Sequence, residues 1–236
     1  MNHNPLGRTS RSVSAMGLGT WQLGADWGDV SEDDALTVLA ASADAGVTLF
    51  DTADVYGDGR SEQLIGRFLA SRPGHGITVA TKMGRRVAQE PENYTPENFR
   101  AWTERSRRNL GVDTLDLVQL HCPPSAVIDA DATYDALDEL VADGAIAAYG
   151  VSVETGLRAV QELAAAVPEG VTLPAATLAW IASRTGVTSV IPGARNIAQA
   201  ESNAAAGEID VDLSGFNTAV TDVYDRLLRT DIHPHW

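Results

Sequence analysis

The sequence predicts an α/β fold in which helices alternate with the strands of a parallel sheet. Short apolar runs of four to six residues recur along the chain, and a longer amphipathic stretch follows each one. Near-continuous hydrophobicity of this length is typical of strands that are covered on both faces. The runs are spaced by roughly 30–40 residues, which is the spacing of βαβ units.

Six runs fit this rhythm, so about six strands are predicted. They are GLGTW at 17–21, Val47–Phe50, Ile77–Ala80, Leu115–Leu120, Ile146–Val151 and Thr188–Ile191. Helix-start signals lie between them. Ser31 has an acid three residues further on, as in a capping box, Thr95 precedes Pro96, and Thr172 precedes LPAATLAWIA. No Gly/Ser linker or low-complexity segment divides the chain, so residues 1–236 are expected to form a single domain.

Ionisable residues at three strand ends indicate how the sheet is arranged. Asp51, Lys82 and His121 each end a run, and their separations are 82 − 51 = 31 and 121 − 82 = 39 residues. In a (β/α)₈ barrel such side chains converge at one mouth, whereas a doubly wound sheet would spread them along an edge. A dinucleotide-binding doubly wound sheet would also need G-x-G-x-x-G, and GLGTWQLG has Gln22 at the third glycine position. The barrel is therefore favoured.

These three residues form a coherent acid–base set with Tyr56 in the following loop. Of the 17 lysines and arginines only Lys82 is a lysine. A phenol of ordinary pKa about 10 donates a proton at neutral pH only if its phenolate is stabilised, and a nearby ammonium provides that stabilisation. Arginine is too bulky and delocalised for this task. Taken singly, Asp51 fits a turn cap, Tyr56 fits surface packing and His121 fits a core position, but their spacing favours one shared site.

Several segments together resemble the aldo-keto reductases. The similar stretches are FDTADVYGDGRSE, ATKMGR, LGVDTLDLVQLHCP, YGVS and SVIPGARN, which follow one another from about Met16 to Asn203. The resemblance implies a (β/α)₈ TIM barrel that binds NADPH across its mouth and reduces an aldehyde or ketone. In that family the equivalent of Asp51 holds the equivalent of Lys82. Tyr56 would then be the general acid, and His121 would orient the carbonyl oxygen.

The same resemblance implies where the cofactor binds. Thr20 and Trp21 would line the nicotinamide side, Ser152 would bind the carboxamide, and Arg195 would pair with the adenosine 2′-phosphate unless it is only a loop charge. Gln199 stands where many members have an arginine, so the expected preference for NADPH over NADH is weakened. The implied cofactor-binding residues are Thr20, Trp21, Asp51, Ser152, Pro192, Gly193, Ala194, Arg195, Gln199 and Asn203.

The match breaks after GVSVE at 150–154, where a sixth and a seventh barrel strand would be expected. The chain continues directly to a helical stretch that resembles the one before the last βα unit. Three explanations stay open. In the first, the natural protein has a further segment at this point that the sequence omits, and its chemistry is ordinary. In the second, the barrel is short, with strand five beside strand eight or with a partner subunit filling the gap, and oligomerisation or helices cover its open edges. Alternatively, hydride transfer has been lost, leaving a lyase, dehydratase or isomerase, or a non-catalytic regulatory homologue.

The composition of the chain argues against nucleic acid and membranes as partners. A net charge of −15 argues against nucleic acid, and the basic cluster Arg105, Arg107 and Arg108 is expected to be a solvated helix face. No run has the length of a membrane span, and the N-terminus lacks a signal peptide's apolar core.

The remaining features favour a cytoplasmic enzyme that acts on a small carbonyl compound. Cys122 is the only cysteine, which excludes an internal disulfide and suits a reducing compartment. His233 and His235 in the tail lack a third ligand, so no metal is expected.

Overall fold

The computed structural model describes residues 1–7, 9–24, 30–152 and 163–228. Its strands are β1 (His3–Pro5), β2 (Ser12–Ser14), β3 (Leu18–Gly19), β4 (Leu49–Asp51), β5 (Thr78–Met83), β6 (Leu117–His121) and β7 (Tyr149–Ser152). Its α-helices are α1 (Glu32–Asp44), α2 (Arg60–Ala70), α3 (Pro96–Leu110), α4 (Ser125–Ile128), α5 (Asp131–Ala142), α6 (Leu173–Ala182), α7 (Ile197–Ala206) and α8 (Ser214–Val223). Shorter helical turns lie at Trp21–Gly24, Tyr56–Gly59, Pro91–Asn93, Ala164–Ala166 and Tyr224–Leu228.

Five of these strands form one parallel sheet in the order β3-β4-β5-β6-β7. Each strand therefore pairs with its successor along the chain, which is the strand order of a (β/α) barrel. The register aligns Asp51 with Ala80 and His121 with Ser152. The carboxyl ends of the strands consequently share one edge of the sheet.

The last predicted strand returns to the first one. Val190 bridges Met16, and Gly193 bridges Gly19, both in parallel orientation. The Gly17 N–H donates to the Val190 carbonyl at 2.6 Å. These contacts are isolated bridges and not a full ladder, and within the described residues no strand lies between β7 and segment 188–193. The α/β class and the incomplete barrel are thus confirmed, and the sixth run is only a bridged segment.

The predicted helix starts are confirmed at three caps. Ser31 Oγ accepts a hydrogen bond from the backbone N–H of Asp34 at 3.1 Å, which begins α1. Thr95 Oγ1 caps α3 with Pro96 at its first position, and Thr172 Oγ1 caps α6. These hydroxyls satisfy amide groups that have no partner inside the helix.

The main core lies between the sheet and the helices that follow β3, β4, β5 and β6. Phe50, Leu64, Ile65 and Phe99 are at most 1% exposed and belong to this cluster. At the opposite side of the sheet, the β1–β2 hairpin covers the amino ends of the strands, where Val13 packs against Leu49 and Ala80. The hairpin leaves the carboxyl edge as the open end.

Candidate active site

The four residues of the predicted acid–base set lie together at the carboxyl edge. Asp51 ends β4, Lys82 is the penultimate residue of β5 and His121 ends β6. Tyr56 begins the turn between β4 and α2. Asp51, Lys82 and His121 are buried, with 9%, 6% and 4% exposure, and Tyr56 is half-buried.

Lys82 is the centre of this set. Its Nζ donates to Asp51 Oδ1 at 2.5 Å, to the Thr52 carbonyl at 2.9 Å and to the Tyr56 hydroxyl at 3.4 Å. Burial raises the pKa of Asp51, and the charge of Lys82 opposes that rise. The ammonium therefore contacts both the carboxylate and the phenol.

His121 faces the same tyrosine. The two rings are 5.9 Å apart between centroids and meet edge-to-face at 86°. Burial, together with the nearby charges of Lys82 and Arg85, lowers the pKa of His121 to about 3. The imidazole is therefore neutral at physiological pH, and its buried Nδ1 has no hydrogen-bond partner within the described residues.

Trp21 and Thr20 lie on the other side of Tyr56. Trp21 is 43% exposed, and its ring lies 6.3 Å from that of Tyr56, so it forms an exposed wall of the site. Thr20 has no exposed surface. Its hydroxyl donates to the Asp51 carbonyl at 2.8 Å and accepts from Ser61 at 2.8 Å. Thr20 thus lies behind the site and supports Asp51.

The other residues expected to bind cofactor form a second group on the same edge. Ser152 ends β7 beside His121, and its carbonyl accepts the N–H of Cys122 at 2.9 Å. Pro192, Gly193, Ala194 and Arg195 form the loop before α7.

Polar side chains of α7 tie this loop down. Gln199 Oε1 accepts the N–H of Arg195 at 2.8 Å, and Asn203 Nδ2 donates to the Gly193 carbonyl at 3.0 Å. Ala194 is buried at 1% exposure, whereas Arg195 is exposed and has no ion-pair partner in the described part of the chain. Hydrogen bonds from α7 therefore hold the loop in place, and the guanidinium of Arg195 is left exposed to solvent.

These residues fit the phosphate end of a dinucleotide. A cavity of about 550 Å³ is lined by Arg195, Asn196 and Ile197 at the start of α7 and by residues of α1 that include the acid Asp34. A guanidinium beside a helix start is a donor set that suits phosphate. The side chain of Gln22 packs closely on Gly193, where an added methyl group would lie 2.5 Å from Gln22 Oε1.

Sequence reasoning missed four residues around Tyr56. Asp54 and Asp58 stand on either side of it, and Arg86 and Arg105 bind both of them. The prediction of a solvated face is therefore wrong for Arg105. Its guanidinium hydrogen-bonds to the turn that carries Tyr56, and its side chain is only 24% exposed. Arg107 and Arg108 do pair with exposed Glu104. The one available signal was the aspartate between two glycines in YGDGR.

Asp54 is a second buried acid near the site. It has no exposed surface, and neither carboxylate oxygen has a hydrogen-bond partner among the described residues. Burial, followed by the charge of Glu62, raises the pKa of Asp54 to about 7, although Arg86 and Arg105 oppose the rise. Its charge state therefore changes in the physiological range.

A larger cavity lies away from this chemistry. It has a volume of about 930 Å³ and lies where α2 and α3 meet the start of β5, lined by Gly66, Ile77 and Leu110 among others. None of the acid–base set lines it. Converging ionisable side chains, and not cavity size, locate the candidate site.

Two negative findings apply to residues 1–7, 9–24, 30–152 and 163–228. No group of three or more His, Cys, Asp or Glu residues there is arranged to hold a metal ion. No helix there has the length and apolar character needed to cross a membrane. His233 and His235 lie outside the described residues.

The chain forms a partial barrel with polar residues at its carboxyl edge. This arrangement places it in the class of (β/α) barrel proteins, whose functional sites lie at the carboxyl ends of the strands. Comparison with known proteins then identifies the family. The model of the "Aldo/keto reductase family" matches residues 15–168 and 153–219. The chain belongs to this family.

Curated relatives match along part of their length. The D-threo-aldose 1-dehydrogenase of Pseudomonas sp is 32% identical over 164 residues, which cover 59% of this chain and 50% of that protein. The NADH-specific methylglyoxal reductase of Escherichia coli is 32% identical over 170 residues, covering 64% and 52% respectively. The chain spans about half the length of the curated relatives it matches.

Solved structures support the fold. A holo-form aldo-keto reductase from Bacillus halodurans has a TM-score of 0.80 at 22% identity, covering 94% of this chain and 96% of that one. An aldo-keto reductase from Klebsiella pneumoniae in complex with NADPH has a TM-score of 0.68 at 22% identity, with 91% of each chain covered.

Proposed function

We propose that this chain catalyses the NAD(P)H-dependent reduction of an aldehyde or ketone, with Tyr56 as the general acid. The observation that carries the proposal is the position of Lys82 Nζ. It lies 2.5 Å from Asp51 Oδ1 and 3.4 Å from the Tyr56 hydroxyl. A lysine held by a carboxylate beside a phenol is an arrangement that supports proton donation at neutral pH.

Each residue has a distinct role in the proposal. The Tyr56 hydroxyl gives its proton to the substrate's carbonyl oxygen, and the phenolate that remains is stabilised by Lys82. Asp51 keeps that ammonium in place. His121, being neutral, orients the carbonyl oxygen by hydrogen bonding and does not compete as an acid.

The cofactor supplies the hydride when it is bound. Arg195 and the start of α7 are proposed to hold its phosphates, Ser152 to bind its carboxamide and Trp21 to border its ring. The exposed guanidinium of Arg195 supports NADPH as the preferred form. A relative named as NADH-specific and a neighbour solved with NADPH mean that both forms need testing.

The names of the relatives support the substrate class. They include an aldose dehydrogenase, a methylglyoxal reductase and a pyridoxal dehydrogenase, all of which act on small carbonyl or alcohol compounds by name. A small soluble carbonyl compound is therefore the proposed substrate.

One observation favours a second candidate function. In the described residues the sheet has nothing between β7 and segment 188–193, where the family resemblance implies further cofactor contacts. The alternative is an acid–base enzyme without cofactor, such as a lyase, dehydratase or isomerase, or a regulatory homologue that binds without turnover.

Titration with NADPH and NADH tests these candidates, because the exposed Trp21 beside Tyr56 gives a fluorescence signal. We expect a dissociation constant on the order of 10–100 μM for the cofactor. We also expect the cofactor to be oxidised when a carbonyl substrate is added. No binding in this range contradicts the reductase proposal, and binding without turnover favours the regulatory alternative.

Replacement of the tyrosine tests its role. Tyr56→Phe should lower kcat by about 100-fold or more while leaving the thermal midpoint unchanged. Tyr134→Phe is the matched control, since that hydroxyl donates to the Ile128 carbonyl at 2.7 Å and is not part of the site. Full activity in Tyr56→Phe would exclude Tyr56 as the acid.

A further inference from the structure

The turn that carries Tyr56 has an unusual backbone. Gly57, Asp58 and Gly59 have φ values of 58°, 52° and 95°. Asp58 is one of two non-glycine residues with positive φ in the described chain. Because a side chain disfavours this conformation, other contacts must hold the turn in place.

Two arginines make those contacts on both sides of Tyr56. Arg105 donates to the Asp54 carbonyl at 3.0 Å, to the Asp58 carbonyl at 2.6 Å and to Asp58 Oδ1 at 2.9 Å. Arg86 donates to the Asp54 carbonyl at 3.2 Å and to Asp58 Oδ1 at 2.5 Å. We call Arg86, Arg105 and Asp58 the arginine clamp.

The arginine clamp joins the turn to the elements that carry the rest of the site. Arg86 follows Lys82 by four residues, just beyond β5, and Arg105 belongs to α3. Their side chains are 26% and 24% exposed, whereas that of Asp58 is 77% exposed. Exposed ion pairs contribute little alone. The guanidinium bonds to backbone carbonyls must therefore fix the turn, and they need a planar fork of donors.

We propose that the arginine clamp positions Tyr56, holding its hydroxyl at contact distance from Lys82 so that the phenol can donate its proton. This inference rests on the proposed role of Tyr56. The attraction between an ammonium and a phenolate falls as their separation grows. A loosened turn should therefore weaken proton donation although no clamp residue touches the substrate.

Paired variants of Arg105 test the proposal. Arg105→Met removes the charge and the fork, and Arg105→Lys removes the fork alone. Arg108→Met is the matched control, because Arg108 lies in the same helix and pairs with exposed Glu104 at 3.4 Å. The first readout is the split between kcat and KM.

The second readout does not depend on turnover. The ionisation of Tyr56 is followed by the ultraviolet absorbance of its phenolate, taken as the difference between each protein and its Tyr56→Phe counterpart. We expect both Arg105 variants to lower kcat about tenfold with little change in KM. The pH of half-ionisation should rise by about one unit. Arg108→Met should change neither quantity.

Arg86→Met covers the case in which an Arg105 variant fails to fold, because Arg86 also donates to the Asp54 carbonyl and to Asp58 Oδ1. A smaller shift in the same direction is expected, because Arg86 makes one bond to a backbone carbonyl where Arg105 makes two. Unchanged Tyr56 ionisation in a folded Arg105→Met or Arg86→Met protein overturns the proposal. Wild-type behaviour of Arg105→Lys would also overturn it, because charge alone would then suffice.

The two proposals fail in different ways. If the wild-type protein reduces no carbonyl compound but the clamp variants still shift the phenol titration, the clamp is supported and the proposed reaction is wrong.

Discussion

Lys82 uses all three N–H groups of its ammonium. The acceptors are Asp51 Oδ1, the Thr52 carbonyl and the Tyr56 hydroxyl, at 2.5, 2.9 and 3.4 Å. A compact ammonium can point three donors in diverging directions, whereas a guanidinium is a flat fork. The site is also buried, so a larger cation would have to displace its neighbours.

Lys82→Arg should therefore fail to replace the lysine. We expect a loss of about 100-fold or more in kcat/KM, close to that of Lys82→Met, although the arginine keeps the positive charge. Steady-state kinetics on proteins with matched thermal midpoints would measure this. An unchanged rate in Lys82→Arg would show that charge alone is sufficient.

Asp54 and His121 give the folded protein opposite responses to pH. The folded-state pKa of Asp54 is raised to about 7 from 3.8, so folding retains a proton that the unfolded chain loses between these values. The stability from Asp54 is full below about pH 4 and is lost as pH rises to 7. His121, lowered to about 3 from 6.5, loses its stabilising contribution as pH falls through that interval.

Asp54→Asn should reveal how much Asp54 contributes to the pH dependence of stability. The variant keeps His121, so the difference in unfolding free energy between variant and wild type reports Asp54 alone. That difference should rise in favour of the variant by about 1.4 kcal/mol per pH unit between about pH 4 and 7. Urea unfolding across this range would measure it, and a constant difference would mean that Asp54 does not titrate there.

The sequence predicted individual site residues best where ionisable side chains recur at the spacing of the strands. Asp51, Lys82 and His121 were found because each lies at the carboxyl end of a strand. Arg105 was missed because its partners are backbone carbonyls about 50 residues away, and such a contact leaves no spacing pattern.

The turn Tyr56–Gly59 is the element on which the site depends most. It packs directly against the turn Trp21–Gly24, and a methyl group at Gly57 would collide with the Gly24 carbonyl. Gly57 also has positive φ, at 58°. Both the conformation and the contact therefore require glycine at this position.

Gly57→Ala should consequently cost about 3 kcal/mol or more of unfolding free energy and most of the activity. Gly74→Ala is the matched control, because Gly74 has a φ of 75° but no atom within 4 Å of an added methyl group. It should cost only the conformational term of about 1 kcal/mol. Equal urea stabilities for the two variants would show that the contact with Gly24 is unimportant.

The final strand shows why some elements could be predicted only in part. Thr188–Ile191 has the apolar pattern of a buried strand, and Val190 does form a bridge with Met16, just before β3. Ile191 is 36% exposed, and no described strand lies on the far side of this segment. A strand that is paired on one side only has little to extend its ladder, and an apolar pattern does not reveal that missing neighbour.

Two properties of the whole molecule oppose each other. Within the described residues, β7 pairs only with β6, and segment 188–193 pairs only with Met16 and Gly19. Two strand edges therefore carry backbone groups without a neighbouring strand. Such edges favour association with another chain. The net charge of −15 makes copies of this chain repel one another.

Self-association should therefore strengthen with ionic strength. Raising the salt concentration shortens the screening length from about 10 Å at 0.1 M to about 3 Å at 1 M, which removes the repulsion but leaves the edges unchanged. Sedimentation velocity in NaCl should show a monomer at low salt and a dimer or larger species at high salt. KCl at equal ionic strength should give the same result, because screening does not depend on which cation is present. A monomer at every salt concentration would mean that the edges are covered within the chain, and the expected homo-oligomer would then be wrong.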